Sequence, residues 1–220
     1  ARRFARDGAT VVIVDADADA GARIVDELVD LGGRGLFVAT DAGDKAALDG
    51  AVEAACTSFG RVDALVTGAL QHTALVGLES KTDAMFDSAM KAVFYSAAWA
   101  MQAVLPIMRE QGGGRIVNYC VPVGPAACPD TADFNAASTA IIGLTNTAAA
   151  EWAKHRVLCN AVALSATVAL DNSDARGAPP ADLENDIAPV ALFLCSDDNA
   201  YVTGSVIRVD GGAQLSAGRR

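Results

Sequence analysis

In this chain of 220 residues the side chains able to do chemistry are few and poorly matched to one another. The densest set lies between 115 and 160. There Arg115-Ile116-Val117-Asn118-Tyr119-Cys120 reads as a buried strand that runs through a loop broken by Pro and Gly into a long Ala-rich helix. Tyr119, Cys120 and Cys128 are the phenol and thiols around the end of that strand, groups that could in principle serve as acid, base or nucleophile. No partner stands at a spacing that would make an acid–base pair with them. Plainer roles fit as well: Tyr119 as a half-buried strand aromatic, Cys120 as a core thiol. His72 and His155 are the only histidines, so no zinc site is expected.

The elements that must position these groups alternate along the chain. Residues 1 to 8 read as the end of a helix closed by Gly8. Val11-Val12-Ile13-Val14 is a short all-apolar run, as a parallel strand covered on both faces requires. A helix with Ile24, Val25, Leu28 and Leu31 on one stripe follows. Next come a strand from Leu36 to Ala39, a helix carrying Leu48, Val52, Ala55 and Phe59, and a strand from Asp63 to Val66. The apolar face of the next helix, with Phe94, Ala97, Ala98, Met101, Val104 and Leu105, extends to Pro106. The helix from about Thr131 to Lys154 is weakly polar on all sides, which predicts burial on more than one side. Strand Val157 to Ala163, a loop from Asp171 to Ala181, a helix from Leu183 to Cys195 and a last strand within Tyr201 to Gly212 complete the pattern.

Composition narrows the function classes. A hydrophobic content of 52% with no break in composition predicts one domain with one sizeable core. The net charge of −10 argues against nucleic acid and anionic membrane as partners, since both need clustered Lys or Arg. No apolar run reaches the length of a membrane span, and no signal peptide is visible. The five cysteines form no CxxC pair and read as small buried hydrophobes of a reducing cytoplasm.

The stretch RIVNYCVPVGPAACPDTADFNAASTAIIGLTNTAAAEWAKHRVLCNAVA resembles the catalytic segment of the short-chain dehydrogenase/reductase family without gaps, and the resemblance covers nearly the whole chain. It implies a single α/β domain over residues 1 to 220: a doubly wound, Rossmann-type parallel sheet with helices on both faces. In that family the strand ends in a Ser that polarises the substrate carbonyl. About thirteen residues later a Tyr exchanges the proton, and a Lys four positions on lowers the Tyr pKa and holds the cofactor ribose. Here those positions hold Val121, Phe134 and Ser138. Val donates no hydrogen bond, Phe has no proton to give and Ser carries no charge at neutral pH.

The cofactor positions are eroded in the same comparison. Asp15 stands where the family places an acid on the adenosine ribose, and with no Arg after it the implied ancestral preference is NAD. Asp41 matches the acid that contacts adenine. Each has an equal claim to a capping role, Asp15 or Asp17 before one helix and Asp41 with Asp44 before the next. Thr67-Gly68-Ala69-Leu70 replaces Asn-Asn-Ala-Gly, and Leu70 fills space that Gly leaves for the ligand. Relatives have about four more residues between Met90 and Lys91, including an Asn that anchors a relay water, so either the helix carries a deletion there or the sequence skips a piece; Leu164-Ser165 replaces Pro-Gly. The family's first strand and Gly-rich loop would come before Ala1, and because a sheet without that strand would expose two edges, the expectation is that the domain starts ahead of this sequence.

The interface elements look retained: the Ala-rich helix with the helix before it, and the last helix with the last strand. The resemblance therefore implies a chain with no catalytic residues and no bound cofactor of its own. It would assemble into a heterotetramer with an active paralogue that holds NAD. Two alternatives are an enzyme of the same fold using displaced groups, and a regulatory module that binds NAD through Asp15 and Asp41.

Overall fold

The computed structural model describes residues 1–68, 74–121, 129–165 and 181–212. Strands β1 (Thr10–Asp15), β2 (Arg34–Ala39), β3 (Ala64–Thr67), β4 (Gly114–Cys120), β5 (Val157–Leu164) and β6 (Val206–Val209) all pair in parallel. The intervening helices are α1 (Arg2–Arg6), α2 (Ala18–Asp30), α3 (Lys45–Phe59), α4 (Asp83–Ala89), α5 (Ser96–Glu110), α6 (Ala132–Trp152) and α7 (Ala188–Cys195). This is the expected α/β fold, and β5, buried at every position, is its centre.

The sheet itself is in two pieces. β1 pairs with β2, from Thr10 against Arg34 to Asp15 against Ala39, while β3-β4-β5-β6 forms a separate four-stranded sheet. Val14 and Val66 are exposed on the two edge strands that face no partner. Helix packing joins the halves: α3 lies on β2 and against α5, which covers β3, and α1 lies on β1 and against α7, which covers β4.

Local chemistry fixes the helix starts. Asp17 accepts from the Ala20 N–H at 2.9 Å to cap α2, Asp44 accepts from the Ala46 N–H at 2.9 Å to cap α3, and Thr82 caps α4 through the Met85 N–H. Gly60 ends α3 in the left-handed conformation, φ 77°. From Asp83 to Glu110 the chain is one continuous helical run, with a π-helical stretch over Met90–Tyr95 between α4 and α5. That stretch holds the Met90–Lys91 junction where the sequence is short, so the mismatch is absorbed inside the helix and not in a loop. The run also continues past Pro106 to Glu110. Pro106 and Gln102, whose carbonyl it leaves unbonded, are both exposed, so water can serve that carbonyl. The loop expected from Asp171 to Ala181 lies, except for Ala181, outside the described residues.

At the centre, Asn118 is fully buried on β4. Its Nδ2 donates to the Thr145 hydroxyl of α6 at 3.0 Å, and its Oδ1 accepts from the Thr67 hydroxyl of β3 at 2.7 Å. Thr145 passes its own proton to the Ile141 carbonyl at 2.8 Å. Two strands and a helix are tied by one amide.

In the smaller half, Gly21 of α2 lies directly on Phe37 of β2, and a Cβ at Gly21 would come within 2.0 Å of the ring. Gly21→Ala is expected to lower unfolding free energy by about 1–3 kcal/mol, through overpacking. Adding Phe37→Leu should recover part of that loss in a denaturant titration.

Candidate active site

Val121 follows the last residue of β4, and Phe134 and Ser138 lie one turn apart on α6. The structure brings all three together and buries them. Val121 and Phe134 belong to one apolar cluster with Val117, Cys120, Ile141 and Leu164. Ser138 Oγ accepts a hydrogen bond from the Val121 backbone N–H at 2.6 Å. The hydroxyl thus serves the main chain where the strand leaves the sheet, and nothing in the triplet can deliver or take up a proton at neutral pH. This arrangement packs two apolar side chains and one main-chain-bonded hydroxyl into the core.

The displaced candidates are no better placed. Burial pushes the Tyr119 phenol up to about 12, reinforced by the nearby Cys195. Burial likewise pushes Cys120 up to about 12. It does the same to Cys159, opposed by a contact from Asn118, and to Cys195, opposed by the Arg115 guanidinium. All four groups are protonated at neutral pH, whereas a nucleophile needs the thiolate. Cys128 and His72 lie outside the described residues, as do Ala69 and Leu70. Among the described residues no group of three or more His, Cys, Asp or Glu side chains could hold a metal.

On the adenosine side, both acids are exposed at the carboxyl ends of β1 and β2. Asp15 Oδ1 accepts from the Asp17 N–H at 2.9 Å, and Asp41 Oδ1 accepts from the Gly43 N–H at 2.8 Å. Because Asp17 and Asp44 do the helix capping, Asp15 and Asp41 close only local turns, and each keeps one carboxylate oxygen outside them. Those oxygens are the ones left for any ligand at the carboxyl ends of β1 and β2. The remainder of a dinucleotide does not find its match: among the described residues no glycine-rich turn leads from a strand into a helix N-terminus to hold the pyrophosphate. Tyr119 also closes over Gly68, where a Cβ would lie 3.1 Å from its ring.

One charged feature escaped the sequence reading. Lys81, between a short 3-10 turn and α4, places Nζ 2.7 Å from Asp133 Oδ1 at the start of α6, with both side chains buried. It is the only fully buried ion pair among the described residues. Neither residue carries a motif, since a Lys in a polar loop and an Asp in a first helical turn both have ordinary surface explanations.

Fold and site geometry together define a dinucleotide-binding-type α/β domain whose catalytic corner is apolar. The chain belongs to the short-chain dehydrogenase/reductase family: the family model described as enoyl-(acyl carrier protein) reductase matches residues 1–214. It is 34% identical over 229 residues to the (2S)-[(R)-hydroxy(phenyl)methyl]succinyl-CoA dehydrogenase subunit BbsD of Thauera aromatica, covering 99% of this chain and 92% of that one. It is 31% identical to the 3-oxoacyl-[acyl-carrier-protein] reductase FabG of Thermotoga maritima, over 95% of this chain and 89% of that one. Among solved structures it resembles the 3-ketoacyl-(acyl-carrier-protein) reductase of Brucella melitensis complexed with NADH. The TM-score is 0.87 at 29% identity, covering 97% of this chain and 91% of that one. No helix among the described residues is long and apolar enough to cross a membrane.

The raised thiol and phenol pKa values make the fold sensitive to base. Above pH 9 the unfolded chain releases thiol protons that the folded chain retains, so stability contributed by Cys120, Cys159 and Cys195 declines until about pH 12. A chemical-denaturation series should show stability level to about pH 8.5 and falling steeply from 9 to 11. The same three thiols should resist iodoacetamide at pH 8 until denaturant is added, as read by peptide mass spectrometry.

Proposed function

We propose that this chain is a non-catalytic subunit of an NAD-dependent short-chain dehydrogenase complex, pairing in a heterotetramer with an active paralogue that oxidises a hydroxyl group. The observation that carries the reading is the packing of Val121, Phe134 and Ser138 into the core, with the Ser138 hydroxyl spent on the Val121 N–H at 2.6 Å. NAD belongs to the paralogue in this reading. The relative named as a subunit of a hydroxyacyl-CoA dehydrogenase supports both the assembly and a substrate of the aryl-substituted hydroxyacyl-CoA class.

The outward faces fit a structural role. Tyr95 is 46% exposed and stacks on Trp99 with centroids 5.5 Å apart. On α6 the exposed positions Ala136, Thr139, Gly143, Asn146, Thr147 and Ala150 carry no charge, and Glu151 in the last turn is the one exposed charge of the helix. Leu183, Phe193 and Tyr201 are exposed around α7 and the approach to β6. Aromatic anchors beside small uncharged residues suit helix-on-helix association with a second subunit of the same fold.

The testing experiment is co-expression with an intact Ser/Tyr/Lys paralogue from the same genome, followed by native mass spectrometry, NAD titration and a dehydrogenase assay. A stoichiometric complex with cofactor and activity confined to the paralogue is expected. A lone homo-oligomer that binds NAD saturably would support the regulatory reading through Asp15 and Asp41 instead, and turnover by the isolated chain would return attention to Tyr119 and the cysteines.

Tyr95→Glu should weaken the complex by about 2 kcal/mol or more, the scale of an interface anchor, with the circular dichroism of the chain unchanged.

A further inference from the structure

The segment from 74 to 82 lies beside the N-terminal turn of α6 with little apolar packing to hold it. None of residues 74–80 is buried, and Leu75 and Leu78 are 58% and 67% exposed. Its placement depends on polar contacts, and these converge on one side chain. The Lys81 ammonium sits 2.7 Å from Asp133 Oδ1, with side-chain exposures of 0% and 1%, and also donates to the Ala74 carbonyl at 2.7 Å. Val76 N–H adds a bond to the Asp130 carbonyl at 3.3 Å, from a residue held in the left-handed region at φ 68°.

The contact between ammonium and carboxylate is one of charge more than of a directed hydrogen bond, since neither Asp133 oxygen has a well-aligned donor among the described residues. A buried charge left without its partner is strongly unfavourable, so each member of such a pair holds the other in place. Asp133 directly precedes Phe134 on α6. Whatever fixes Asp133 also fixes the approach to the apolar corner.

We propose that the Lys81–Asp133 pair is a latch that fastens the 74–82 segment across the first turn of α6 and keeps the Val121–Phe134–Ser138 corner closed. The lysine folds back along its own segment to Ala74 while gripping the helix, so one ammonium closes the segment on itself and onto α6. Thr82, next in the chain, caps α4, which makes a fixed end from which the segment can swing. The latch is local: the ladders of β4 and β5 and the Asn118 bonds do not involve it. It operates in this chain whether or not the chain pairs with a paralogue.

Hydrogen exchange with mass spectrometry on the full chain tests this. In Asp133→Asn the amides of 75–81 and of the first turn of α6 should exchange on the order of 100-fold faster, with β4 and β5 unchanged. Lys45→Ala, which breaks the exposed Lys45–Asp49 pair, should leave them as in the parent. If Asp133→Asn does not fold, Lys81→Met with Asp133→Leu removes both charges and keeps the volume. That variant should keep the parent's protection in β4 and β5 while 75–81 exchanges at the fast rate. Protection of 75–81 equal to the parent's in either folded variant, or acceleration spread evenly over all elements, overturns the proposal.

Discussion

The amide of Asn118 is the point from which the larger half of the molecule is braced. It stands fully buried on β4 and uses its oxygen and its nitrogen on different elements, β3 through Thr67 and α6 through Thr145. A buried amide in an apolar core is unfavourable unless its groups are bonded, and here the bonds run to a neighbouring strand and to the helix covering the sheet. The register of β3 against β4 and the seating of α6 are therefore set together. Val121, three residues beyond Asn118, and Phe134 and Ser138, two to three turns before Thr145, inherit their positions from that brace.

The same brace accounts for the packing of the corner formed by Val121, Phe134 and Ser138. Ser138 bonds to the Val121 N–H, which would otherwise be a buried donor without a partner at the strand exit. Phe134 retains an aromatic ring in a volume that α6 and the sheet enclose from both sides. Substitutions of this kind leave packing density and polar satisfaction intact, the two properties on which the fold depends.

The alternation of apolar runs and helical stripes was enough to read the order and type of the six strands and of the main helices, though not of the short 3-10 and π-helical pieces. Strand ends came within about two residues, except that the last strand is confined to Val206–Val209. Position was legible for Val121, Phe134 and Ser138 because a strand end and a helix start fix them. The roles of Asp15 and Asp41 were not, since an acid after a strand can close a turn, cap a helix or meet a ribose; only the bonds of Asp17 and Asp44 separate these. The π-helical stretch at Met90–Tyr95 has no signature of its own in residue type. Lys81 and Asp133 were invisible for a different reason: they lie 52 positions apart, and only tertiary packing tells a buried charge from a solvated one.

The division of the sheet bears on how the molecule comes apart. No strand ladder joins β1 to β3 among the described residues, so the first forty residues cohere through contacts close in sequence and meet the rest through helix surfaces. Breaking that junction leaves every ladder in the four-stranded sheet whole. Among the described residues that junction consists of the α1–α7 and α3–α5 contacts and the exposed Arg6–Glu184 pair, so a substitution at any of these helix surfaces acts on both parts of the sheet at once.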